Sequence, residues 1–100
     1  MEIHANSHDN DAPHHLYAIF DVERNTVFKY GISGKPLLSD GSSPRADEQV
    51  QLYNRVVGMK RFFATIILAD IQGRKEAERI ENDYITAYRN THGTNPIGNL

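Results

Sequence analysis

Hydrophobic and polar positions along "LYAIFDVERNTVFKYGIS", Leu16 to Ser33, follow the pattern of a β-hairpin. The strands are expected at 15–21 and 26–33, around a turn near Glu23-Arg24-Asn25. A period of two puts Val27, Lys29, Gly31 and Ser33 on one face of the second strand and Thr26, Phe28, Tyr30 and Ile32 on the other. "GKPLLSDGSSP" is a loop by composition. Ser43 then stands as an N-cap with Pro44 at the first helical position. The helix runs from Pro44 to about Val57, with Ala46, Val50, Tyr53 and Val57 as its apolar stripe, and Gly58 stops it. "KRFFATIILAD" is a third strand, apolar on both faces, which predicts cover on both sides. A second helix begins near Gly73 and ends before "NTHGTNPIGNL", an irregular tail. The order β-β-α-β-α predicts an α+β fold: a small three-stranded antiparallel sheet with flanking helices.

Ahead of this pattern, "MEIHANSHDNDAP" has no hydrophobic period. Residues 1–14 are therefore expected to be a flexible leader or linker, and 15–100 the folded domain. His4 and His8 have a spacing that suits a metal on a helix, but no helical pattern supports one, and they read as linker residues. A start within a linker suggests a module from the end of a longer protein.

Composition narrows the picture. A chain of 100 residues can bury a modest core, and without cysteine it has neither a disulfide framework nor a thiolate metal site. No apolar run approaches a transmembrane length, so no membrane anchoring is expected of this domain. The net charge of −2 is unevenly spread: Lys29 to Arg61 holds six basic residues and three acidic ones. Mixed surface charge of this size fits a solvated surface and is weak as a nucleic-acid footprint.

Candidate chemistry appears where residues offend the local pattern. In the second helix Ala77, Ile80, Tyr84, Ile85 and Tyr88 share a face, and Glu81 falls about 40° from its centre at ~100° per residue. A carboxylate there needs a cation, a metal or hydrogen-bond donors. It is either a salt-bridge partner at the stripe's edge or a ligand for a divalent ion. Arg45 occupies the first turn of the other helix, against the dipole. It is either a phosphate clamp or an exposed arginine of little consequence. Lys29 and Gly31 weaken a strand that packing alone would fill with apolar residues.

These residues resemble the GIY-YIG nuclease family. "LYAI" is similar to its first motif, with Tyr17 at the tyrosine, and "KYGIS" to its second, with Gly31 at the glycine. Arg45 matches the helix arginine, Glu81 in "AERIEND" the metal-binding glutamate, and Asn99 in "PIGN" the closing asparagine. The chain departs from the pattern in two places. Lys29 stands where most members have tyrosine, with Tyr30 one place over, and Gln49 stands where a histidine is common. A closer resemblance is to the URI-type toxin domains at the C-terminal ends of bacterial polymorphic and Rhs-type toxins, carried by "YGIS", "GRKEAE" and "GTNPIGN".

The resemblance implies a metal-dependent endonuclease acting on DNA. Glu81 would be the single anchor for Mg²⁺ or Mn²⁺, and Arg45 would stabilise the charged transition state. Tyr17 would serve as general base or orient the water, its phenolate favoured by the lysine and metal nearby. Lys29 would face the phosphate or hold Tyr17, and Gly31 would leave room for the substrate backbone. Pairing of residue 17 with 29 would put both on one face. Gln49 and Tyr30 would support the site, with Tyr30 in the core or in place of Lys29, and Asn99 would brace the site or the tail. The resemblance also implies delivery into a rival cell, action in its cytoplasm, a monomer when free, and a cognate immunity protein covering the positive Lys29–Arg45 surface. A non-catalytic nucleic-acid- or protein-binding module on the same fold, or an RNase, is the alternative.

Overall fold

The computed structural model describes residues 11–100, so His4, His8 and most of the expected leader lie outside the described residues. The elements are β1 (Pro13–Asp21), β2 (Thr26–Ser33), α1 (Pro44–Val57), β3 (Phe62–Gln72) and α2 (Arg74–His92), with a 3-10 turn at Ile97–Asn99. The strands form one antiparallel sheet in the order β2-β1-β3. This is the expected α+β architecture. β1 starts at Pro13, and His14 is buried, so the last two leader residues belong to the sheet.

Alternation along β1 divides the core between the two faces of the sheet. On one face Tyr17 and Ile19 pack with Ala46 of α1 and with Phe62, Ala64 and Ile66 of β3. On the other, Leu16 packs with Ile71 of β3 and with Ala77, Ile80 and Tyr84 of α2. One helix therefore covers each face of the central strand, which is why the core residues of β1 leave no alternating polar positions.

Ser43 caps α1 by accepting the Ala46 N–H at 3.2 Å, with Pro44 in the first turn. Gly58, with φ of 75°, takes the left-handed conformation that ends it. The stripe differs from the simple periodic reading. Gln49 is buried with Ala46, whereas Val57 is 40% exposed. Asn54 accounts for the turned-out end. Its side-chain oxygen accepts the N–H groups of Arg61 and Phe62 at 2.9 and 2.8 Å, fastening the last turns to the loop ahead of β3.

The regular period in β2 fails at Phe28. Ile19 pairs with Lys29 but Phe20 pairs with Val27, which leaves Phe28 as a bulge. Its ring therefore joins Tyr53 and Phe62 on the α1 face, at 5.3 and 4.9 Å between centroids, while Tyr30 packs on Tyr84 across the sheet. β3 also departs from expectation. It is an edge strand, and Phe63 and Leu68 remain 49% and 40% exposed, so cover on both faces is incomplete. α2 runs past the predicted stop to His92, because Gly93 supplies the left-handed cap at φ 82° and Tyr88 stacks on His92 at 4.0 Å.

One buried charge fastens the hairpin to β3. Asp21 is fully buried and receives two hydrogen bonds from Arg61, at 2.8 and 2.9 Å. It also accepts the backbone N–H groups of Glu23 and Arg24 in the turn. The Arg61 guanidinium and these amides hold the carboxyl below its usual range, although burial opposes them. A depressed folded-state pKa means stability that is present above the unfolded value of about 3.9 and lost as pH falls through the folded value. Asp21→Asn is expected to lose about 3 kcal/mol near neutral pH, as for a broken buried pair. The deficit should shrink as the pH falls below the unfolded value toward the folded one, which urea unfolding across pH reads directly.

Candidate active site

The site is built from Tyr17 outward. Tyr17 is 2% exposed, and its partner across the hairpin is Gly31, not Lys29. The phenol lies over that glycine. A Cβ placed on Gly31 would fall 2.7 Å from Tyr17 Cε1 and closer still to its Cζ and hydroxyl oxygen. The room that Gly31 provides is therefore filled by the Tyr17 ring, which corrects the expectation that it is kept for a substrate backbone. Crossing Gly31 carries the hydroxyl toward β2, an edge strand of the sheet.

There the hydroxyl donates to Gln49 Oε1 at 2.7 Å. Gln49, at the place where the resembling family often carries histidine, thus fixes the phenol proton. Burial pushes the Tyr17 pKa up to about 12, and Arg45, acting the other way, does not overcome it. The protein surroundings alone keep Tyr17 a phenol, and the expected phenolate would need the charge of the metal as well. The dominant influence is loss of water around the ring, which disfavours the charged form.

Lys29 pairs with Ile19, two residues along β1 from Tyr17, so the two side chains share the α1 face. Burial and Arg45 lower the Lys29 pKa, and Glu81 works against them. Arg45 is half exposed in the first turn of α1, 3.8 Å from the carboxylate of Glu48. Glu81 comes from α2, half-buried, with its pKa raised by burial and offset by Arg74 and Lys29. Arg45 and Glu81 each act on both Tyr17 and Lys29. The helices on the two faces thus reach one edge, and the four residues share one electrostatic neighbourhood.

Asn99 closes that edge from the tail. It accepts the Tyr30 N–H at 2.8 Å and donates to the Tyr30 carbonyl at 2.9 Å, as a neighbouring strand would. Gly98 allows the approach, since a Cβ there would meet Lys29 Cβ at 2.8 Å. Tyr30 contributes its backbone to this clamp, and its ring faces Tyr84, away from Tyr17.

One positioning residue, His15, escaped the sequence reading. The ring nitrogen Nε2 of His15 lies 2.7 Å from Ser43 Oγ, the cap of α1. Burial, with His14, lowers the His15 pKa, and the Ser43 hydroxyl that meets the ring also accepts from Ala46. This contact ties the helix end carrying Arg45 to the strand carrying Tyr17. The adjacent pair His14-His15 at the strand start was its only trace in the sequence.

Among the described residues no group of three or more His, Cys, Asp or Glu side chains could hold a metal ion. A cation held mostly by water and phosphate, with one protein carboxylate, still fits Glu81, because positive charge would relieve the burial that raises its pKa.

A sheet with a helix on either face and a tyrosine, lysine, arginine and glutamate drawn to one edge defines a small α+β domain built around a charged edge site. Residues 7–93 match the family described as URI fold toxin 2, and the chain belongs to it. It is a URI-type toxin domain. No curated protein and no solved structure matches the chain. Among the described residues no helix is long and apolar enough to cross a membrane.

Two outcomes test this geometry. Gly31→Ala should cost about 1–3 kcal/mol by overpacking, and the penalty should largely vanish in a Tyr17→Ala background, giving a non-additive double-mutant cycle in chemical denaturation. Glu81→Gln should raise the melting temperature at neutral pH. An acid whose folded pKa is raised by burial destabilises above its unfolded value and not below it, so the gain should disappear in acid.

Proposed function

We propose that this toxin domain is a metal-dependent endonuclease that hydrolyses phosphodiester bonds in DNA. The reading extends to its setting: the C-terminal module of an interbacterial effector of the GIY-YIG and Rhs kind, acting in the target-cell cytoplasm and silenced in its producer by an immunity protein. The observation that carries it is the gathering of Arg45, Lys29 and Glu81 around a buried Tyr17–Gln49 pair at the β2 edge of the sheet. Two cations suit the phosphate, and one carboxylate beside them suits a divalent ion.

In this reading Arg45 presents its planar fork to the phosphoryl oxygens and neutralises charge as the transition state forms. Tyr17, its proton committed to Gln49, offers oxygen lone pairs that accept a hydrogen bond from the attacking water and aim it. Lys29, its pKa lowered by burial and Arg45, would hand a proton to the leaving oxygen. Glu81 would hold Mg²⁺ or Mn²⁺, which when bound supplies Lewis-acid charge relief and eases the ionisation of water. Asn99 and Gly31 act on this machinery by holding Lys29 and Tyr17 in place.

Incubation of the purified chain with plasmid DNA and with structured RNA, with Mg²⁺ and with chelator, tests the reading. Cleavage of DNA that needs Mg²⁺ is expected. Glu81→Ala should abolish it with the fold intact, and Arg45→Ala should slow it by about 10²-fold or more, as for loss of one transition-state donor. RNA cleavage alone would redirect the substrate, and Mg²⁺-dependent cleavage retained by folded Glu81→Ala would remove Glu81 as the metal ligand.

A further inference from the structure

The far end of α1 leaves an apolar groove of about 390 Å³ walled by Phe28, Leu52, Tyr53, Val56, Phe62 and Ile97. Val56 is 76% exposed and Leu52 50%, so folding alone gives little reason for apolar residues there. Arg24 and Arg61 also line the groove, and no acidic residue does. The two arginines are not equivalent. Arg61 is held by its paired hydrogen bonds to Asp21, whereas Arg24 touches the same carboxylate only at 3.7 Å and is 58% exposed. Arg24 therefore keeps donors for a carboxylate from outside.

The combination selects the occupant. Nucleic acid would satisfy the arginines through phosphate but has no apolar side chain to fill the groove. A second copy bringing the same surface would set arginine against arginine. A protein partner with an apolar anchor flanked by Asp or Glu meets both requirements, burying Leu52 and Val56 and pairing Arg24. We propose that this groove is the docking surface for such a partner, the inhibitor of the toxin. The proposal rests on the reading that the toxin is silenced by a cognate protein, and it moves the anchor away from the Lys29–Arg45 surface.

From Arg45 to Val56 is about 16 Å along the helix at 1.5 Å per residue. The groove is nevertheless joined to the site. Phe28 in its wall precedes Lys29, and the Ile97–Asn99 turn packs against the groove with Ile97 and against Phe28 and Lys29 at Gly98. A protein seated in the groove would overhang the β2 edge or press on the tail that Asn99 fastens to it.

The test uses the protein encoded immediately downstream of the toxin, purified and titrated calorimetrically into Glu81→Ala chain and into the same chain carrying Leu52→Glu, Val56→Glu or Arg24→Glu. Circular dichroism checks each fold. The groove variants should weaken binding by at least about 30-fold, as hot-spot anchors do. In a Glu81-intact background, Leu52→Glu and Val56→Glu should keep wild-type nuclease activity yet escape inhibition. Binding within threefold of the parent, loss of binding only from Lys29→Ala or Arg45→Ala, no binding at all, or dissociation of a wild-type dimer by Val56→Glu would each overturn the proposal. Absence of nuclease activity in the wild type, with binding still lost through the groove, would overturn the catalytic reading and leave the docking surface standing.

Discussion

The phenol of Tyr17 lying across Gly31 is the constraint on which the rest of the site depends. Any side chain at that position of β2 would occupy the volume of the ring, so the strand gives up a packing residue to let the hydroxyl cross. Once across, a buried hydroxyl needs a partner, and Gln49 provides it from α1. That requirement fixes the rotation of α1 about its axis. Burying Gln49 beside Ala46 places Arg45 one residue back, at the rim. The His15–Ser43 contact fixes the helix end against the same strand from which Tyr17 rises. A rotation, a strand register and a cap thus serve one hydrogen bond.

The same crossing explains how elements on opposite faces of a sheet supply one site. A side chain that stayed over β1 would be covered by α1 alone. By reaching the β2 edge, Tyr17 meets a place that α1 approaches from one side and α2 from the other. Lys29 and Glu81 are each shifted toward their neutral forms by burial and each moved back by the other. Their charges are therefore mutually supporting, and neither carries the desolvation cost unrelieved.

Much of this was legible in the chain, for identifiable reasons. Ser43-Pro44 and Gly58 announce α1 because caps are local chemistry, and Glu81 stands out because a carboxylate beside an apolar stripe needs a nearby cause. What escaped depends on contacts distant in sequence. The Phe28 bulge follows from aromatic packing with Tyr53 and Phe62, which no period of two within β2 can report. Gln49 was marked only by its place in the family resemblance, and nothing local to the helix reports its burial or its bond to the Tyr17 hydroxyl. Asp21 ends a strand like an ordinary turn residue, and only Arg61, forty positions on, makes it the buried anchor of the hairpin. The cost of a phenolate at Tyr17 is hidden in the same way, since counting nearby charges omits the water that burial removes.

Placement at a strand edge carries a further consequence for chemistry. An edge strand ordinarily offers unpaired backbone groups to other chains, and here Asn99 pairs with the two that Tyr30 presents. The clamp occupies both backbone groups of Tyr30, while Arg45 stays half exposed at the rim. A site on such an edge is open along its length, unlike a pocket that must admit its whole ligand. Openness suits a polymer, from which one bond is presented while the rest of the molecule stays in solvent. The proposed phosphodiester chemistry and the architecture therefore require the same thing: a few preorganised groups at a rim, fixed from behind by a buried tyrosine.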